Sequence, residues 1–195
     1  MDKFNNQYRI PSTRLQDWNY GQNAAYFVTI CTKKREPFLG KITDGKMELS
    51  QIGKIVEKYW MEITPHFLFV KADLFVIMPN HIHGILIMDK QDDKIDPIVE
   101  MPIGPETPKL VVSTDTSLPQ KHVALKKWKS GILGVIINQY KRICTINARK
   151  INPCFAWQSR FYDHIIRDEK KYQQIAEYIS NNPLKWQYDK YYAEG

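Results

Sequence analysis

Residues 74–88 have the sequence LFVIMPNHIHGILIM, in which Pro79 and Asn80 separate two apolar runs of strand length. Apolar runs this continuous predict strands that are buried on both faces. The second run carries His81 and His83, two residues apart. Because side chains alternate between the two faces of a strand, both imidazoles are expected on one face and Ile82 on the other.

The histidine pair is a candidate metal site. Neutral imidazole is a common ligand for divalent metals, and two imidazoles about 6–7 Å apart along a strand can converge on one ion. An imidazole inside a buried strand loses its hydration, so the pair is expected to have a partner. A metal ion would supply one, and backbone carbonyls that bond a structural histidine pair are the alternative.

The rest of the chain alternates strand and helix patterns. Helices are predicted at residues 52–63, 122–151 and 169–181, the last with Asp168 as its N-cap, and further strands at residues 25–32 and 155–166. This order predicts an α+β fold, with helices packed on a mostly antiparallel sheet.

The chain of 195 residues is predicted to form one domain, at residues 21–185. Residues 1–20 are expected to be an N-terminal basic arm, residues 89–120 a flexible Pro-rich insertion with five prolines, and residues 186–195 a C-terminal tail.

Sequence features also predict where the protein is found. No apolar run is long enough for a membrane span, and the first residues lack the apolar core of a secretory signal. Three widely spaced cysteines, Cys31, Cys144 and Cys154, are expected to be reduced thiols in a cytosolic protein.

Positive charge is concentrated in one part of the chain. Lysine and arginine number 28 against 21 acidic residues, which gives a net charge of +7. From Thr116 to Tyr162 there is no acidic residue, and basic side chains are interleaved with aromatic ones. This composition suits nucleic acid, whose phosphates bind cations and whose unpaired bases stack on rings, although a solvated helix face is the other interpretation.

Tyr178 and Asn182 lie four residues apart in the last predicted helix, so their side chains can meet. The pair could place a nucleophilic phenol beside a metal-ligating carboxamide, although a tyrosine with its usual pKa near 10 needs activation. Packing of the tyrosine, with the asparagine ending the helix before Pro183, is the alternative.

Four blocks in this order resemble a known family. They are FVTICT at residues 27–32 followed by Arg35, MPNHIHG at residues 78–84, WQSRFYDH at residues 157–164, and YISNNP at residues 178–183. Together they resemble the REP-associated tyrosine transposases, relatives of the single-tyrosine HUH transposases of small insertion sequences. The resemblance covers roughly Arg9 to Tyr192 without the insertion.

The resemblance implies a fold and a catalytic site. The fold would be a ferredoxin-like (RRM-like) antiparallel sheet with helices packed on one face, the palm of HUH endonucleases. His81 and His83 would bind Mg²⁺ or Mn²⁺, with Asn182 completing the metal site. Tyr178 would be the nucleophile that cleaves single-stranded DNA and leaves a 5′-phosphotyrosine and a free 3′-hydroxyl.

The resemblance also implies a DNA partner, a single strand beside a hairpin. Candidate contacts to this DNA, some of them carried by the basic window, are Arg9, Arg14, Lys126, Lys127, Lys129, Lys141, Arg142, Arg149, Trp157, Arg160 and Tyr162. His164 is a candidate for assisting proton transfer. The implied protein is a transposase-like strand transferase, monomeric or homodimeric, in the cytoplasm of a bacterium and associated with the nucleoid.

Four other functions fit parts of the pattern. They are a catalytically silent module that binds single-stranded nucleic acid, a replication-type HUH nickase, a metal hydrolase that uses water, and a structural protein. The silent module predicts binding that ignores both divalent metal and Tyr178, and the hydrolase predicts cleavage without a covalent adduct.

Overall fold

The computed structural model describes residues 22–90 and 132–192, together with residues 3–4, 7–8, 18 and 20. Several predictions lie outside these residues: the DNA contacts at Arg9, Arg14, Lys126, Lys127 and Lys129, and the insertion except for residues 89 and 90.

Four strands form the central sheet: β3 (Ala24–Cys31), β6 (Val70–Met78), β7 (His81–Met88) and β8 (Tyr162–Ile166). Their order is β6-β7-β3-β8, and every neighbouring pair is antiparallel. Two small antiparallel pairs are β1 (Lys3–Phe4) with β2 (Gln7–Tyr8), and β4 (Gly40–Thr43) with β5 (Lys46–Leu49). The helices are α1 (Gln51–Met61), α2 (Ile63–His66), α3 (Ile132–Ala148) and α4 (Glu169–Asn181), and a 3₁₀ segment follows at Pro183–Tyr188.

The two faces of the sheet carry different helices. Ile82 and Leu86 of β7 belong to the main core, which also contains Trp60 of α1 and Tyr140 of α3. On the other face, Ile85 packs in a smaller cluster with apolar residues of α4. The predicted α+β antiparallel sheet is therefore confirmed. The structure adds that α4 lies on the face opposite α1 and α3, which the prediction of helices on one face did not include.

Capping side chains begin two of the helices. The Ser50 hydroxyl accepts a hydrogen bond from the Gly53 backbone N–H at 3.0 Å, and the Asp168 carboxylate accepts one from that of Lys171 at 2.7 Å. The predicted N-cap at Asp168 is thus confirmed. Tyr172, one turn into α4, donates to the carboxylate of Asp73 on β6. This bond and the apolar cluster fix α4 against the sheet.

The predicted strand at residues 155–166 is wrong in its first half, because β8 begins only at Tyr162. Phe155 and Trp157 turn their rings towards each other, with centroids 5.1 Å apart. The ammonium of Lys141 donates to the carbonyl oxygens of Gln158 and Arg160. These contacts hold the segment in an irregular path, with a single bridge to the sheet between Thr32 and Trp157.

The β4–β5 hairpin was not predicted. Its turn contains Asp44 and Gly45, both with positive φ, of 50° and 71°. An Asp-Gly pair is a strong hairpin signal, because this turn needs the left-handed conformation at both positions. In the described part of the chain, no helix combines the length and the apolar character that crossing a bilayer requires.

Candidate active site

The histidine pair lies in the centre of the sheet, on the face that α4 covers. His81 and His83 are both buried, with 0% and 1% of their surface exposed. Their Nε2 atoms are 2.9 Å apart. The alternation of side chains along β7 thus brings the two rings together, as the spacing predicts.

Polar neighbours orient both imidazoles. Asn80 donates from Nδ2 to the carbonyl oxygen of Tyr191 at 2.8 Å, so its Oδ1 faces the ring of His81 and accepts from Nδ1–H at 2.8 Å. This leaves a lone pair on His81 Nε2. The Thr29 hydroxyl lies 2.8 Å from Nδ1 of His83 and fixes the second ring. Such outer contacts set the tautomer and the direction of metal-binding histidines.

Tyr178 lies beside this pair and is open to solvent. Its hydroxyl is 3.0 Å from Nε2 of His83 and donates to Oδ2 of Asp189 at 3.1 Å. Its ring packs edge-on against Phe27, with centroids 6.2 Å apart. The side chain is 39% exposed, so an incoming substrate can reach the phenol.

Asp189 is the site residue that the sequence analysis missed. Its Oδ2 also accepts from Nδ2 of Asn182 at 2.9 Å, and its Oδ1 accepts from the Tyr191 backbone N–H at 2.7 Å. The prediction set residues 186–195 apart as a tail, yet the ring of Tyr191 lies 4.6 Å from that of His81. The only sequence signal for Asp189 was its position as an acidic residue among tyrosines, in a segment with no helical or strand periodicity.

Burial and charge set the protonation of the site. Desolvation lowers the pKa of His81 to about 3, with smaller effects from Lys190 and Arg35, and it lowers that of His83 well below its usual value. Both rings are therefore neutral at physiological pH and can bind a metal. Desolvation and then the charge of Asp189 raise the pKa of the Tyr178 phenol, which is protonated in this arrangement.

The donors present fit a divalent cation. His81, His83 and Asp189 each offer a ligand atom, and these atoms lie within 4.8 Å of one another. Adjacent ligands of an octahedral ion with bonds of about 2.1 Å are roughly 3 Å apart, which matches the separation of the imidazole nitrogens. Oδ1 of Asn182 is buried without a hydrogen-bond partner, as expected for an atom that needs a ligand. Imidazole and oxygen donors together suit Mg²⁺ or Mn²⁺.

The predicted DNA contacts within the described residues divide into exposed and packed groups. The exposed ones are Arg142, Arg149, Arg160 and Tyr162. Lys141 differs from the prediction, because it is buried and its ammonium bonds backbone carbonyls. Trp157 is half-buried, and its ring packs beside Tyr140 and Phe155, so its contact to DNA stays a prediction. His164 is half-buried on β8, opposite Phe27 in the sheet register.

Comparison with known proteins places this geometry in a family. No protein-family model matches the chain. An uncharacterized protein of Haemophilus influenzae is 40% identical over 185 residues, which cover 94% of this chain and 93% of that protein. A solved structure of a REP-associated tyrosine transposase bound to a REP hairpin is 17% identical, with a TM-score of 0.53, over 92% of this chain and 77% of that one. The chain therefore belongs to the same family as the Haemophilus influenzae protein, and its resemblance to the REP-associated tyrosine transposases is confirmed at the level of the fold.

Proposed function

We propose that the protein is a metal-dependent transesterase for single-stranded DNA, which cleaves and rejoins strands near hairpins as a transposase does. The observation that carries this proposal is the position of Tyr178, a partly exposed tyrosine whose hydroxyl lies 3.0 Å from Nε2 of the buried, neutral His83. A tyrosine used only for packing has no need of such a position beside a set of metal donors.

In the proposed reaction, the Tyr178 oxygen attacks a backbone phosphorus. A phosphorus–oxygen bond to the tyrosine forms while the bond to the 3′-oxygen breaks, which leaves a 5′-phosphotyrosine and a free 3′-hydroxyl. Asp189 accepts the phenol proton, because its Oδ2 already accepts a hydrogen bond from that hydroxyl. Water supplies the proton for the leaving 3′-oxygen. Attack by another 3′-hydroxyl reverses these steps and rejoins two strands.

The metal site would consist of His81, His83 and Asp189, with Asn182 as a further oxygen donor. A bound Mg²⁺ or Mn²⁺ supplies positive charge that polarises the phosphodiester and offsets the carboxylate beside Tyr178. Asn80 and Thr29 keep the imidazole lone pairs directed into the site. Phe27 limits the motion of the tyrosine ring.

A DNA partner is supported by two features of this chain. Arg142, Arg149 and Arg160 are exposed, and the centroid of the exposed Tyr162 ring lies 6.4 Å from that of Phe27, which also packs against Tyr178. The solved relative with the same fold is bound to a REP hairpin. A monomeric or homodimeric state and a cytoplasmic, nucleoid-associated location stay predictions.

A denaturing gel tests the proposal. The wild type is incubated with Mn²⁺ and a labelled hairpin oligonucleotide with single-stranded flanks, drawn from the DNA beside the gene. We expect a covalent protein–DNA band that Tyr178→Phe and EDTA both abolish. Tyr188→Phe is the matched control, because it removes an exposed tyrosine of the following segment and should leave the band intact.

Other outcomes would favour other functions. Cleavage by Tyr178→Phe without an adduct would identify water as the nucleophile and the protein as a hydrolase. The wild type and Tyr178→Phe could also both bind the hairpin without metal and cleave none of a panel of flanking sequences. That result would identify a silent nucleic-acid-binding module.

A further inference from the structure

We propose that the turn at residues 33–36 binds the phosphate backbone of a DNA duplex and, together with Arg142 and Arg149 of α3, holds the stem of a hairpin beside the active site. The inference rests on the proposed function, since it assigns a position to the substrate of that reaction. Neither the motifs nor the histidine site assign a role to this turn.

The backbone of the turn is strained. The Glu36 N–H donates to the Lys33 carbonyl at 3.2 Å, and the two central residues have positive φ, 57° at Lys34 and 60° at Arg35. This is the arrangement of a type I′ turn, in which Asn-Gly is strongly preferred. Here a lysine and an arginine occupy these two positions, although the left-handed conformation is unfavourable for a residue with a Cβ atom. Strain of this kind is concentrated at ligand-binding sites.

Hydrogen bonds hold the turn in one place. The Thr32 hydroxyl lies 2.7 Å from the Glu36 carbonyl oxygen and 3.0 Å from that of Asn80. The Lys33 backbone N–H donates to Ala156 at 2.8 Å. A fixed turn presents its cations without the entropy cost that a mobile loop would incur on binding.

The turn connects the active site to a groove on α3. On one side, the Arg35 guanidinium donates to the Lys190 carbonyl at 3.0 Å and lies 5.3 Å from the Tyr191 ring, which contacts His81. On the other side, Ala156 belongs to the wall of a groove of about 500 Å³, which Arg142 and Arg149 also line. Exposed cations therefore lie both on the groove and at the turn, which reaches the histidine site through Tyr191.

The groove on α3 and the surface around Tyr178 differ in chemistry, and this difference assigns the stem to the groove and the single strand to the surface. None of the described residues that line the groove is acidic, and its one aromatic ring, Trp157, packs against Phe155. Guanidinium groups with no acidic neighbour among the lining residues suit phosphates. Tyr162, by contrast, is 43% exposed, packs against the same Phe27 ring as Tyr178, and can stack on unpaired bases.

Fluorescence anisotropy tests the assignment, in a Tyr178→Phe background that prevents cleavage. The probe is a labelled DNA hairpin with a single-stranded flank, and the test variant is Lys34→Asn with Arg142→Gln. The control, Lys54→Gln with Lys71→Gln, removes the same charge from exposed lysines on α1 and β6. We expect a loss of affinity of at least about tenfold in the test variant, and a salt dependence whose logarithmic slope is smaller by about two. The control should bind like its parent.

Folding does not confound this result, because asparagine tolerates the left-handed conformation better than lysine. The melting temperature of the test variant should therefore not fall. Affinity equal to that of the control would overturn the proposal, and an equal loss on an unpaired strand of the same length would overturn the assignment of the stem.

The gel experiment described above keeps this proposal separate from the proposed function. If the adduct forms at Tyr178 while the test variant binds the hairpin like the control, the turn has no such role and the transesterase stands. If no adduct forms while the test variant loses hairpin affinity, the turn binds DNA and the transesterase fails.

Discussion

At the residue scale, the site depends on polar side chains that orient the two imidazole rings. The amide of Asn80 accepts from His81 through Oδ1 because its Nδ2 donates to the Tyr191 carbonyl. The Thr29 hydroxyl on the neighbouring strand lies 2.8 Å from Nδ1 of His83 and orients the second ring. The spacing of two predicts the histidine pair. It does not predict these contacts, because Thr29 lies on another strand and Asn80, although next to His81, is oriented by the distant Tyr191. Asp189 escaped prediction for the same reason.

Replacing the Thr29 hydroxyl should weaken metal binding. In Thr29→Val the shape of the side chain is kept but His83 loses its partner at Nδ1. We expect the affinity for Mn²⁺ to fall by about 10- to 100-fold in a calorimetric titration, while Thr29→Ser stays close to wild type. Equal affinity in the valine and serine variants would mean that the hydroxyl does not orient the ring.

Asp189→Asn should slow formation of the covalent adduct by about 10²-fold or more, because the phenol loses its proton acceptor and the proposed metal site loses a carboxylate ligand. The charge of Asp189 raises the pKa of Tyr178, so the substitution moves that pKa down towards its usual value. A carboxylate that only restrains the tyrosine would therefore give a faster reaction on removal. A time course on denaturing gels measures whether the variant forms the adduct more slowly or faster than the wild type.

At the scale of elements, β7 meets a different helix on each face. Its histidine face lies against α4, and a Cβ added to Gly84 on the other face would overlap the buried indole of Trp60 on α1. The helical period predicted α1 and α4, and the cap at Asp168 was predicted as well, because apolar stripes and capping residues are local features. The same signals failed at residues 155–161, where the path depends on Lys141, a residue from α3.

Gly84→Ala should destabilise the protein by about 1–3 kcal/mol through this overlap. At about 2–4 °C per kcal/mol, the melting temperature should fall by several degrees. In the double variant Gly84→Ala, Trp60→Phe, the smaller ring leaves space for the new methyl group. The losses of stability in the two single variants should therefore be less than additive. Additive effects in thermal unfolding would indicate that Gly84 and Trp60 do not limit each other.

At the scale of the whole molecule, the sheet separates a structural side from a chemical one. The large core with α1 and α3 stabilises one face, while the other carries the histidines, Tyr178 and the returning residues after Pro183. The order of helix and strand patterns predicted the α+β class, and the cysteine spacing predicted reduced thiols; the three cysteines are unpaired in the structure. Neither pattern predicted that the last residues complete the site, because their contacts are set by the tertiary fold.

The cysteines test this division of the molecule. Cys31 and Cys144 are buried and Cys154 is exposed, and burial raises the pKa of Cys31 to about 11. At pH 8 a thiol reagent should therefore modify one cysteine rapidly in the native protein and the other two only in denaturant. Cys154→Ser should remove the rapid phase. Rapid modification of two or three thiols would contradict the packing of the core.

The most direct test of the central claim is to locate the DNA on the protein by mass spectrometry. After reaction with Mn²⁺ and the hairpin oligonucleotide, nuclease and trypsin digestion should release the peptide that runs from Tyr172 to Lys185, with a nucleotide attached. Tyr172 is an internal control on the same helix, because its hydroxyl is bound to Asp73. We expect fragmentation to place the nucleotide on Tyr178. A nucleotide on Tyr172 or on another peptide, or cleaved DNA with no modified peptide, would contradict it.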